Sequence, residues 1–339
     1  MTGKIHTRME SLRTFLRRTL TTFILVLGLA AGTAPIRAAA PRPTAPPTPN
    51  PTPETGIVTL ALLGDLNFGR GVHPNIETFT YLKPILESAD LAMGNLESPL
   101  TTKAVTTKSP YALCTDPEKA EFLYEAGFDL LSVANNHYID CGLSGYRETL
   151  ATIKQNDMDA IPADFVTITR EVNGVKLAFL AVNATWKFDR AGLLKAIDAA
   201  QSNGNVVVVS VHWGDEYFAQ PSRFQKTLAK QMAEAGASLI WGHHPHVLQP
   251  VEWIDTFCDS LNPAKTCRQT LVLYSLGNAL FDQYALPDTR RSALMMVHLD
   301  KDGVQEFHAI PFVIDEPRSR LVAADDDTAK KILERLRPK

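Results

Sequence analysis

Three histidines crowd into four residues at His243-His244-Pro245-His246, directly after the apolar run Ala237-Ser238-Leu239-Ile240 and Trp241-Gly242. Neutral imidazole is the commonest metal-binding side chain. Gly242 lets the backbone turn where the run ends. Pro245 restricts the chain between His244 and His246 and removes one N–H, so the two rings can face one side of a tight loop. Alone, this is either a metal loop or a polar surface loop that happens to hold histidines. The remaining chain decides between them. Asp65, Glu97, Asn136-His137 and His212 each stand just beyond another short apolar run. One such match is weak, but five segments repeat it. The set mixes carboxylate, amide and imidazole, with no thiolate, which suits Mn, Fe, Zn, Co or Mg rather than copper. It is also larger than one ion needs. Two divalent ions roughly 3.5–4 Å apart, sharing a carboxylate, can clamp the oxygens of a phosphoryl group during in-line attack. His137 is then left over as a general acid.

The elements that must carry these residues alternate between strand and helix. Val58–Leu63, Leu91–Met93, Leu130–Ala134, Val206–Val211 and Ala237–Ile240 read as strands, each followed by one ligand-bearing loop. Five valines in Val206–Val211 suit a strand buried on both faces. Val166–Thr169 and Val175–Val182 read as a hairpin across Asn173-Gly174. Further strands fall at Leu271–Tyr274, Ala293–Leu299 and Gln305–Phe312. Helices are expected from Pro117 to Gly127, through Tyr146, Leu150 and Ile153, and over Leu193–Ala200 and Arg223–Ala235. A last amphipathic helix carries Ile332 and Leu336. In open α/β sheets ligands bind beyond the carboxyl ends of the strands, which is where all five segments place their candidate ligands. No internal repeat and no second domain boundary is visible.

The 339 residues are 45% apolar, ample for a large core. Residues 1–40 carry six cations and one acid around the uncharged stretch 19–36, the pattern of a signal peptide or signal-anchor. Ala38-Ala39-Ala40 offers a cleavage site, and 18 uncharged residues are also borderline for a membrane span. Either way the remainder is expected outside the cytoplasm, secreted or anchored. Residues 41–55 form a linker with seven prolines between 41 and 53, and residues 56–339 form the folded domain. The whole chain has a formal charge of −3, so residues 41–339 stand at −8. An acidic domain is a poor nucleic-acid binder, and an anionic ligand would need local help such as metal ions. Four cysteines in an oxidising compartment suggest two disulfides. Cys258 and Cys267 bracket a polar loop as a local staple, which leaves Cys114 with Cys141 by elimination.

Taken together, the motifs resemble one family. Gly64-Asp65 with Arg70, Asn95-Leu96-Glu97, Ala134-Asn135-Asn136-His137 with Asp140 and Gly142, and His212-Trp213-Gly214 with Glu216-Tyr217 fall in order along the chain. Gly242-His243-His244-Pro245-His246-Val247 with Gln249-Pro250, and Tyr274-Ser275-Leu276-Gly277-Asn278 with Phe281-Asp282, follow them. This series is similar to the CapA family of capsule and poly-γ-glutamate biosynthesis proteins, over residues 57 to the final helix. The resemblance implies an α/β fold of the metallo-dependent phosphatase type, a four-layer αββα sandwich of two facing mixed sheets. It implies Asp65, Glu97 and His246 on one ion, and Glu97, Asn136, His212 and His244 on the other. Arg70, Asn95, Glu216 and Asn278 become candidate substrate-binding residues.

Two departures stand out. The wider superfamily has a histidine where this chain has Asn67, so the two ions are expected to differ in affinity. Ala279 replaces the usual Phe after Gly277-Asn278, which would widen the pocket. Arg70 could hold a phosphate or carboxylate bidentately or form a structural ion pair. Asp215, Glu216 and Asp282 could orient imidazoles or be surface charges. Trp213 and Trp241 could line a groove or serve packing, and His73, His298 and His308 are read as unrelated to the site. Three functions fit the residues. One is a metal-dependent hydrolase of a phosphoester or amide at the cell surface. Another is a non-hydrolytic accessory protein that binds a nascent anionic polymer within a membrane synthase or export complex. The third is a metal-dependent peptide epimerase.

Overall fold

The computed structural model describes residues 56–256, 268–315 and 319–337. The expected signal segment, the proline-rich linker and the Cys258–Cys267 bridge lie outside the described residues. Fourteen strands form two sheets among the described residues. The first sheet is built from β1 (Val58–Leu66), β2 (Leu91–Leu96), β3 (Leu130–Ser132), β4 (Asp159–Ile161), β11 (Asn278–Leu280), β12 (Arg291–Asp300), β13 (Gly303–Asp315) and β14 (Arg320–Ala323). Its order is β14-β13-β12-β1-β2-β3-β4, with β11 beside the end of β1. The run β1 to β4 is parallel, whereas β12 to β14 pair antiparallel. The second sheet holds β5 (Ile168–Val172), β6 (Val175–Asn183), β7 (Val206–His212), β8 (Ala237–His243), β9 (Val251–Asp255) and β10 (Gln269–Leu273). It runs β5-β6-β7-β8-β10-β9, parallel at the centre and antiparallel at both edges.

Among the described residues six α-helices join them: α1 (Lys83–Leu86), α2 (Ala120–Ala126), α3 (Gly142–Gln155), α4 (Arg190–Ser202), α5 (Arg223–Glu234) and α6 (Asp326–Leu336). None among the described residues is long and apolar enough to cross a membrane. The fold is mixed α/β. Side chains alternate across a strand, and that alternation sorts the apolar residues into three cores. Leu60 and Leu62 of β1 share one core with Leu177, Phe179, Val208, Leu239 and Trp241 of the second sheet. Ala61 and Leu63 point the other way, toward Leu123 of α2 and Ile153 of α3. On the far side of the second sheet, Leu180, Val207, Val209 and Ile240 meet Leu193 and Ile197 of α4 and Leu228 and Met232 of α5. All seven residues of β7 are buried, as its valine run demands.

Caps set the helix ends. Ser222 and Gln225 form a reciprocal capping box at the start of α5, and Gly127 closes α2 in a left-handed conformation. Four strands and one helix were not expected from the sequence: β4, β9, β11, β14 and α1. Each has five residues or fewer, too short for periodicity to register.

Candidate metal centre

The parallel strands of both sheets end at the same place. Asp65 is the penultimate residue of β1, Glu97 follows β2, Asn136 and His137 lie in the loop after β3, and His212 and His243 close β7 and β8. Asp65 is therefore still in its strand, where β11 continues the ladder after a register shift. Two glycines allow this crowding. A Cβ on Gly64 would stand 1.9 Å from the Gly277 carbonyl oxygen, and one on Gly242 would stand 2.2 Å from that of Tyr274. Gly242 thus serves close packing. The turn expected of it is made by His244 and His246, at φ 95° and 57°. Arg70 and Tyr217 also hold positive φ, at 49° and 67°. Such conformations cost of order 1–3 kcal/mol each and concentrate at functional sites.

Two groups of side chains sit at ligand spacing: Asp65 with Glu97 and His212, and Glu216 with His244 and His246, every ligand atom within 4.8 Å of the others in its group. The groups touch each other. His246 Nδ1 is 3.2 Å from Asp65 Oδ2, and the His212 and His244 rings are 4.8 Å apart. These contacts between the groups are the pairings the resemblance implies, His246 beside Asp65 and His244 beside His212. Asn136 Oδ1 is 2.8 Å from His212 Nε2. Asn95 donates to Asp65 Oδ1 at 2.8 Å, and Asn278 Oδ1 lies 2.8 Å from His246 Nδ1. Both amides are fully buried and neither lines the cleft described below. Their side chains contact Asp65 and His246 and do not reach the cleft. Asn67 is fully engaged as well, accepting from Ser98 and Gly69 and donating to Asp282.

The chemistry of this set fits divalent ions. Glu97 Oε2, Asn95 Oδ1 and His244 Nδ1 are buried without a hydrogen-bond partner, whereas buried polar groups almost always have one. Burial acts to raise the Asp65 carboxyl, but neighbouring His243 and His246 outweigh it and hold the group well below the usual carboxylate range. Burial, then the Asp65 charge, pushes Glu97 well above that range. Burial also depresses His212, with His244 adding to the effect, and depresses His243. His244 falls to about 4, through burial first and then His246. Neutral imidazoles are what metal ligation requires.

Above the centre opens a cleft of about 650 Å³, lined by Arg70, Tyr111, Asn136, His137, Glu216, Tyr217 and His246 among others. His137 Nδ1 lies 2.8 Å from Asp140 Oδ2, and the same oxygen accepts the Leu113 N–H at 2.9 Å. Cys114 and Cys141, the neighbours of Leu113 and Asp140, form a disulfide, in the pairing expected. Arg70 ion-pairs with Asp282 and lies over Phe281 at 5.5 Å. Trp213 and Trp241 are fully buried and donate to the carbonyls of Tyr274 and Leu63, in keeping with a packing role. His298 and His308 stack on each other far along the first sheet. Sequence reasoning passed over His243, quoted only as part of a motif. Period-two alternation through Leu239 and Trp241 would have placed it on the inner face.

Comparisons with known proteins identify relatives of this chain. The family described as bacterial capsule synthesis protein PGA_cap matches residues 59–283, which span every candidate ligand from Asp65 to His246. The PGA biosynthesis protein CapA of Bacillus subtilis (strain 168) is 32% identical over 309 residues, 83% of this chain and 78% of that protein. The capsule biosynthesis protein CapA of Bacillus anthracis is 32% identical over 300 residues, 78% of this chain and 69% of that one. A Mycobacterium tuberculosis (strain H37Rv) protein, named as a probable polyglutamine synthesis accessory protein, is 23% identical over 62% of this chain and 61% of its own. With the family matched across most of the folded region and two relatives at this level of identity, the chain belongs to the PGA_cap family of CapA capsule synthesis proteins.

Proposed function

We propose that this protein is an exported, dinuclear metal-dependent hydrolase that cleaves a phosphoester or amide bond during synthesis of an anionic surface polymer of the poly-γ-glutamate type. The carrying observation is the convergence of buried carboxylate and imidazole atoms from both sheets, several without partners, beneath an open cleft. We read the three cores as four layers, helix–sheet–sheet–helix, the metallophosphatase arrangement. Asp65, Glu97, His212, His244 and His246, with Glu216 and Asn136, would hold two ions of Mn, Fe, Zn, Co or Mg. Bound ions would supply Lewis-acid stabilisation of the negative charge that builds on a phosphoryl or carbonyl oxygen. The protein's own groups supply the remainder. With Nδ1 held by Asp140, His137 keeps Nε2 for the proton that the leaving oxygen or nitrogen needs. Arg70, fixed by Asp282 and Phe281 at the cleft wall, presents its remaining N–H groups to an anionic substrate.

The test is to load the purified full chain with Mn, Zn or Fe, count the bound ions, and assay p-nitrophenyl phosphate and poly-γ-glutamate. Close to two equivalents with turnover supports the reading. Full metal with no turnover on either removes the hydrolase. It leaves a second reading, favoured by the accessory role in the name of the M. tuberculosis relative: a protein that binds the nascent polymer without cutting it. Retention of poly-γ-glutamate by the metal-loaded chain tests that one.

A further inference from the structure

His243 belongs to neither ligand group, and its surroundings are unusual. It closes β8 with a side chain wholly out of solvent. Neither ring nitrogen has a hydrogen-bond partner within good geometry. Leu239 and Trp241, four and two residues earlier, point into the core between the sheets. His243 continues that face, so an imidazole stands where the pattern calls for a third hydrophobe. The ring packs edge-on against Trp241 at 4.4 Å. Trp241 Nε1 in turn donates to the Leu63 carbonyl at 3.1 Å, which ties β8 to β1 across the two sheets. Two residues further on each strand, His243 Nδ1 lies 3.5 Å from Asp65 Oδ1.

The two oxygens of Asp65 face different company. Oδ1 meets Asn95 and His243, while Oδ2 meets His246 and the His244 N–H. We propose that His243 is a positioning residue of the metal centre: its ring, delivered from the opposite sheet, directs Oδ1 inward and so aims Oδ2 at the ion shared with His246. The proposal rests on the metal reading above. It also bears on Asn67, whose amide is engaged elsewhere. Where that position brings no imidazole to the first ion, His243 brings one to the carboxylate that holds it. An imidazole–carboxylate contact of this kind orients the ligand and tunes its basicity, and its loss typically lowers metal affinity about 10–100-fold.

Cobalt(II) titration of the metal-free full chain, followed by visible absorption, tests this without any substrate. His243→Leu should raise the dissociation constant of one site about 10–100-fold and change its absorption band, with the second site unaffected. His243→Asn places an amide N–H where Nδ1 stands and should recover most of the loss. His243→Gln reaches past that position and should not. The Asn–Gln pair keeps the test decisive if the Leu variant fails to fold. Native affinity and spectrum in the Leu variant, or equal loss in the Asn and Gln variants, would overturn the proposal while leaving the metal reading intact. A wild-type chain that takes up no cobalt would remove both.

Discussion

At the scale of single residues, the strongest consequences attach to His137 and His244. His137 lines the cleft and belongs to neither ligand group. His137→Asn should therefore keep both ions and the fold while cutting turnover by about 10²–10⁴-fold. Loss of metal or of melting temperature in proportion to activity would assign it a structural role instead. His244 makes a pH prediction for the metal-free protein. Its ring is held down to about 4, against about 6.5 in an unfolded chain. Between those values the unfolded state binds the extra proton, so stability is full above about pH 6.5 and is lost as pH falls toward 4. Glu97 is shifted upward and has the opposite sign, favouring the fold below its unfolded value near 4.5 and losing that contribution as pH rises. Urea unfolding of chelated protein across pH 4–7 should show the acid-side loss, up to about 3 kcal/mol from His244. His244→Asn should reduce it, leaving the part carried by the depressed His212 and His243. An unchanged slope in the variant would show that His244 is not the group responsible. Asp65, Glu97, His212, His244 and His246 were all legible in the sequence because each follows a recognisable apolar run. The burial of Asn95 and Asn278 was not, since a polar residue in a motif looks the same whether it is exposed or buried.

At the scale of elements, the loop before Cys114 and the start of α3 act as one piece. The disulfide closes a span of 27 residues, and the loop-entropy model assigns such a bridge about 3–4 kcal/mol. Asp140 binds both His137 and the Leu113 N–H beside that bridge. Cys114→Ser with Cys141→Ser should lower the melting temperature and also turnover, while metal content stays near native because Asp65, Glu97, His212, His244 and His246 lie outside the bridged span. A double variant with native turnover would uncouple the bridge from His137. The long strands were readable for a physical reason. β7 declares itself through a valine run, and β6 with β5 through an Asn-Gly turn and alternation. The three-residue strands β4 and β11 borrow their conformation from neighbours already in the sheet, and no local pattern announces them. The Gly242 turn was misread for a similar reason: sequence shows that glycine is needed, but only the fold shows that Tyr274 and Trp213 are what exclude a side chain.

At the scale of the whole molecule, the site exists only where two sheets end together. Asp65 and Glu97 come from one sheet, His212, His244 and His246 from the other. Bound ions should therefore fasten the sheets to each other. Free metal at 100 times its dissociation constant adds about 2.7 kcal/mol to stability. EDTA treatment should lower the melting temperature accordingly, and His244→Ala with His246→Ala should abolish the metal-dependent difference. A melting temperature indifferent to EDTA in both proteins would argue against ions at this junction. The general class, α/β with ligands at strand ends, was visible in the order of elements. The pairing of strands into two sheets was not, because β10 joins β8 and β12 joins β1 over distances that no local signal spans. That dispersal of ligands also governs when the site can be charged. Asp65 and His246 stand 181 positions apart along the chain, so a partly synthesised or unfolded polypeptide has no pocket that discriminates between ions. Under the proposed metal reading, the choice of metal is deferred until folding is complete, and the ion acquired would be the one on offer where folding ends.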